Sequence, residues 1–81
     1  MQDSNEYKYI SVVFKDKDTG EFRGRGYLYR TKRNLVENQI IEFDTNYGHS
    51  IVSVAEPNIS KEEAARRASE IGYELEELKE I

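Results

Sequence analysis

Apolar and polar positions alternate with a period of two through the first third of the chain, and residues 7–14 (YKYISVVF) predict a strand. Lys8, Ile10, Val12 and Phe14 share the face expected to meet the core; Tyr7, Tyr9, Ser11 and Val13 share the other. Asp16 to Gly20 (DKDTG) predicts a turn, in which Asp and Thr bond nearby backbone and Gly20 supplies a positive φ. The turn joins a second strand over 22–31 as a hairpin. There the alternation puts Phe22, Gly24, Gly26, Leu28 and Arg30 inside and Arg23, Arg25, Tyr27, Tyr29 and Thr31 outside. Glycines on an inner face let a strand bend or another backbone approach, as the corner of a small barrel requires.

A connection over 32–38 is expected to tuck Leu35 and Val36 beneath it. Strands are predicted at 39–44 (QIIEFD) and 50–55 (SIVSVA), with a turn at 45–49 between them. Pro57 is expected to stop the fourth strand, having no amide hydrogen for a ladder. Ser60 with Glu63 predicts a capping box, opening a helix over about 60–71. Ala64, Ala68 and Ile71 form its apolar stripe, and Glu62–Arg66 and Glu63–Arg67 are i,i+4 pairs. Gly72 is a natural helix terminator and favours a fifth strand over 73–79; continuation of the helix is the alternative, since YELEELKEI has high helix propensity.

The reading is α+β, mostly β: residues 7–81 form one small antiparallel barrel of four or five strands with a C-terminal helix, after a flexible stretch at 1–6. No run approaches the roughly 18 apolar residues of a membrane span, and the polar, acidic start does not read as a secretory signal. With no cysteine there is neither a disulfide nor a thiolate ligand or nucleophile. A cytoplasmic setting is expected. Residues 1–34 hold eight Lys/Arg against five Asp/Glu, and residues 35–81 hold four against eleven, so a net charge of −4 conceals a basic half and an acidic half. That asymmetry points to a charged partner.

Candidate chemistry is sparse. Asp16-x-Asp18-x-Gly20 has the look of a calcium loop, but its sixth and twelfth positions hold Glu21 and Tyr27 where glycine and a bidentate glutamate belong. His49, beside Ser50 and near Asp44, suggests a triad. Adjacent strand residues point to opposite faces, however, so His49 reads as a turn-tip residue. Gly20, Gly24 and Gly26 lack the Lys-Ser/Thr ending of a phosphate loop. No cofactor is expected, and the chain reads as non-enzymatic. The strongest signal is the acid-free run 22–33: Arg23, Arg25, Tyr27, Tyr29, Arg30, Lys32 and Arg33 form a candidate binding face for a protein or, alternatively, for single-stranded nucleic acid. Glu70, Glu74, Glu76, Glu77 and Glu80 form an alternative acidic face with the character of a nucleic-acid mimic, or else a merely solvated surface.

Several pieces resemble small proteins encoded by phages and prophages of Gram-positive bacteria. These are 27–31 (YLYRT), Leu35, 38–43 (NQIIEF), Tyr47-Gly48, 51–54 (IVSV) and Glu56-Pro57. Where those proteins start a strand with Gly-Asp, this chain has Asn38-Gln39, and Asn tolerates the same turn conformation. The resemblance implies an SH3-like barrel and an accessory role inside a bacterial host. Such a protein binds and modulates, or inhibits, a host protein such as a defence component. It assigns no functional residues.

Overall fold

The computed structural model describes residues 6–45 and 48–81; all but the last residue of the expected flexible stretch at 1–6, and the turn residues Asn46 and Tyr47, lie outside them. Four strands, β1 (Lys8–Phe14), β2 (Tyr27–Thr31), β3 (Ile40–Thr45) and β4 (Gly48–Ile59), precede one helix, α1 (Lys61–Glu70). The strands form one antiparallel sheet in the order β2-β1-β4-β3.

The β1 alternation is as expected. Ile10 and Val12 are fully buried, and they join Leu35, Ile41, Val52 and Val54 in the main core, with Phe14, Tyr29, Phe43 and Ile81 packed around it. Ser11 points the other way and is nevertheless buried, so the second face of the sheet is covered too. The cover is α1, which packs on β1 and β2 and buries Ala64 and Ala68.

The second strand departs from expectation in length and in phase. Phe22 makes only an isolated bridge to Lys15, and regular pairing begins at Tyr27. Ile10 pairs with Tyr29 and Val12 with Tyr27, so Tyr27, Tyr29 and Thr31 face the main core while Leu28 and Arg30 face the helix side. The expected inside and outside are exchanged. Residues 23–26 leave the ladder at Gly24, whose φ of +101° suits glycine alone. Gly26 answers to the close-approach reading: a Cβ there would collide with the Ser11 hydroxyl.

The 16–20 turn is as read. Asp16 Oδ1 accepts from the Asp18 amide at 2.8 Å, and Gly20 adopts φ +76°. In the next connection Leu35 is buried but Val36 is 64% exposed, against expectation. The short Val36 and Gln39 contacts turn the chain there, and Asn38 takes the anticipated left-handed conformation at φ 70°. β4 does not stop at Pro57. It runs on to Ile59, with register shifts against β1 on either side of Ser11. Bulges of this kind admit proline because ladder bonds are missing there.

Ser60 caps α1 by accepting from the Glu63 amide at 3.1 Å. Arg66 engages Glu63 and Glu70 rather than Glu62, while the Glu63–Arg67 pair forms as expected at 2.8 Å. Ile71, assigned to the apolar stripe, is 53% exposed because the helix ends at Glu70 and Gly72 turns the chain at φ +84°. The break at Gly72 therefore holds, but no fifth strand spans 73–79. A 3-10 turn (Leu75–Glu77) takes its place, and then a single bridge sets Glu80 parallel to Arg30 on β2. Thr31 Oγ1 donates to the Ile81 carbonyl at 2.9 Å, fastening the last residues to the β2 edge.

Candidate functional site

In a flat sheet β2 and β3, three strand spacings apart, would lie about 14 Å from each other. Here Tyr29 of β2 and Phe43 of β3 meet edge-on with ring centroids 5.8 Å apart. The sheet is therefore strongly curled, and its outer strands approach each other across the core face. Phe14 completes the cluster, 5.2 Å from Tyr27 and 6.3 Å from Phe43. Towards Ile10, Val12 and Val54 the hollow of the curl is plugged by Leu35 and Ile81. At the other end it opens as a groove of about 850 Å³ with these four rings in its wall.

Burial pushes the Tyr29 phenol above its ordinary range, with the neighbouring Tyr27 adding to the effect. Tyr27 is 41% exposed, and the Arg25 guanidinium sits 5.0 Å from its ring centroid. Arg23 and Arg25 lie on the irregular 23–26 segment at the rim, joined by Lys17 from the first turn and Lys79 from the tail; Asp44 and Glu80 complete the rim.

Of the candidate basic face, Arg23, Arg25, Tyr27 and Tyr29 are thus brought together, although the tyrosines form an inward wall instead of the expected solvent-facing surface. Arg30 and Lys32 are separated from them. Both stand over the Tyr7 ring, at 4.5 and 4.9 Å, and Arg30 Nε is buried with no hydrogen-bond partner among the described residues. Arg33 follows β2, its amide donating to Thr31 Oγ1 at 3.0 Å. The acidic candidates do not converge either. Glu70 pairs with Arg66, Glu77 accepts from the Glu74 amide, Glu80 accepts from the Tyr7 hydroxyl, and Glu76 is exposed.

His49 belongs to β4, opposite Asp44, and not to a turn tip. Its Nδ1 lies 3.2 Å from Asp44 and its Nε2 3.7 Å from Glu42, and the Asp44 hydrogen bond raises its pKa above the usual histidine value. Ser50 faces the groove on the opposite side of the strand. The groove residues that sequence reasoning missed include Lys17, Phe43, Lys79 and the β3–β4 residues Asp44, Thr45 and Ser50, with Phe14 assigned only to the core. The Ile41/Phe43 alternation carried the signal for Phe43; the two lysines carried none.

Among the described residues no helix is long and apolar enough to cross a membrane. No family model, curated protein or solved structure matches the chain.

Proposed function

We propose that this chain acts by stoichiometric binding to a larger protein, docking through the aromatic groove, and that it is not an enzyme. The observation that carries the reading is the groove itself: a wall of four rings with Arg23 and Arg25 at its lip. Desolvated aromatic rings beside arginine are the residue types that dominate protein-binding hot spots. A nucleophilic mechanism finds less support, because His49 and Ser50 point to opposite sides of β4. The curl that joins Tyr29 to Phe43 supports reading the sheet as a small SH3-like barrel, and the phage-type resemblance supports an accessory protein that modulates or inhibits a cytoplasmic component of a bacterial host.

Affinity capture from a Gram-positive lysate, with nuclease and with the Arg23→Glu/Arg25→Glu variant alongside, tests this. The expected result is a stoichiometric protein partner that survives nuclease, is lost with the variant, and cross-links to the groove. Capture abolished by nuclease, with affinity falling steeply as salt rises, would transfer the site to nucleic-acid binding. Capture retained by the variant but lost on charge reversal of Glu74 and Glu76 would transfer it to the acidic end.

A further inference from the structure

We infer that the groove takes an extended acidic segment of the partner protein, anchored by one large apolar side chain set among Phe14, Tyr27 and Phe43. The inference rests on the binding reading above and names the chemistry of what is bound. Its first ground is charge. In the acidic half the two helix arginines, Arg66 and Arg67, are taken by its own Glu56, Glu63 and Glu70, all within residues 35–81. Among the described residues no ion pair joins that half to the basic half. Arg25 has no carboxylate partner among the described residues and rests on the Tyr27 ring. Arg23 has only Glu21, at 4.0 Å, with both side chains well exposed, a geometry worth little.

The rim sets Lys17, Arg23, Arg25 and Lys79 against two acids, Asp44 and Glu80. Asp44 meets His49, and Glu80 accepts from the Tyr7 hydroxyl. The lip is therefore cationic on balance. Guanidinium groups answer best to carboxylate or phosphate through paired hydrogen bonds. Between those two, the rings favour the carboxylate-bearing peptide. Base stacking needs a free ring face, whereas Tyr27 has Arg25 over its ring and Phe14 against it, and Tyr29 is half-buried against Phe43. The gaps among edge-on rings suit a side chain inserted end-first. Extension follows from topology: β3 borders the groove and has β4 on one side only, and an edge strand is where an extended peptide adds by backbone pairing.

Amide NMR titration of the full chain decides the matter with three probes: acetyl-Glu-Glu-Phe-Glu-Glu-amide, the same peptide with Lys in place of Glu, and a short oligothymidylate. The acidic peptide is expected to shift Gly24, Arg25, Tyr27, Phe43 and Asp44 saturably, and the lysine peptide to leave them unmoved. The Arg23→Glu/Arg25→Glu variant, with an unchanged melt, is expected to weaken the acidic peptide by about tenfold or more. Should that variant not fold, the contrast between the two peptides on the unmodified chain decides alone. Equal binding of both peptides, shifts confined to other surfaces, or no shifts would overturn the inference. Tighter oligothymidylate binding in the same groove would overturn it in favour of nucleic acid. Loss of peptide binding beside intact, nuclease-resistant capture of a protein would remove this inference while leaving the broader binding reading in place.

Discussion

One face of one sheet does two different things along its length. At one end Ile10, Val12, Ile41, Val52 and Val54 are buried beneath Leu35 and Ile81; at the other Phe14, Tyr27, Tyr29 and Phe43 line an open groove. The strand alternation is the same in both halves, so it does not separate core from site. The separation comes from what the connections do. Residues 32–39 fold back over the sheet and the tail crosses to β2, closing one end. Residues 16–26 turn away at Gly24 and leave the other end uncovered. Residue choice follows that division: apart from the buried Thr31 the closed half is aliphatic, while the open half uses rings, two of them tyrosines that keep a polar tip for water.

The largest effect that would break this comparison is a reversal of the stability cost between its halves. Ile10→Ala should cost about 2–5 kcal/mol through lost burial and the cavity left behind. Tyr27→Ala, which removes a partly exposed ring and one edge-on contact, should cost about 1 kcal/mol. Urea denaturation with an unchanged slope measures both, and Ile10→Val, at about 1 kcal/mol, replaces the alanine variant if that chain does not fold. A Tyr27→Ala cost equal to that of Ile10→Ala would make the groove a structural part of the core.

Much of the frame was legible because it is local. The β1 alternation, the Asp16–Gly20 turn, the Ser60 cap and the Gly72 break each depend on residues within a few positions of one another. The phase of β2 was not, because both of its faces are covered. Leu28 faces the helix side and Tyr29 the main core, so hydrophobicity alone does not tell inside from outside, and the deciding fact is the Ile10–Tyr29 register across the sheet. Pro57 misled for a related reason: it ends a regular strand but not a bulged one. At the site, Arg23, Arg25, Tyr27 and Tyr29 were found as a set since they are neighbours in sequence. Lys17, Phe43 and Lys79 reach the groove only through the curl and the tail, which are tertiary facts.

A smaller effect sharpens the boundary between the halves. Gly26 lies where the groove's rim segment enters β2, on the side facing away from the rings, and a Cβ there overlaps the Ser11 hydroxyl. Ser11 is buried, so the hydroxyl can only turn within a covered space. Gly26→Val should therefore cost more than the 1 kcal/mol or so of a typical substitution. Gly26→Ala should cost less, and Ser11→Ala should recover much of that loss in the double variant, as expected for two residues in contact. Additive costs in a denaturation cycle would show that the rim is held by Gly24 alone and that the close approach of β2 to β1 does not set where the groove begins.

The smallest expected effect is one of pH, and it should touch the open half only. The buried aliphatic cluster of the closed half contains no titratable side chain, whereas at the open end of the sheet His49 pairs with Asp44. Asp44 and Glu42 both face the imidazole, and the Asp44 hydrogen bond is the main reason its pKa lies above the ordinary 6.5. A raised folded pKa means that the protonated ring is favoured by folding. That contribution is fully present below 6.5 and disappears as pH rises through the folded value. Because the ring is exposed, the melting temperature should decline only slightly over that window. The sharper measurement is an NMR titration of the His49 ring protons. Asp44→Asn should bring the midpoint back towards 6.5, with Glu42→Gln producing a lesser change in the same direction. A His49 midpoint at or below 6.5, or one indifferent to Asp44→Asn, would show that the Asp44 contact does not set this titration and leave both halves equally insensitive to pH.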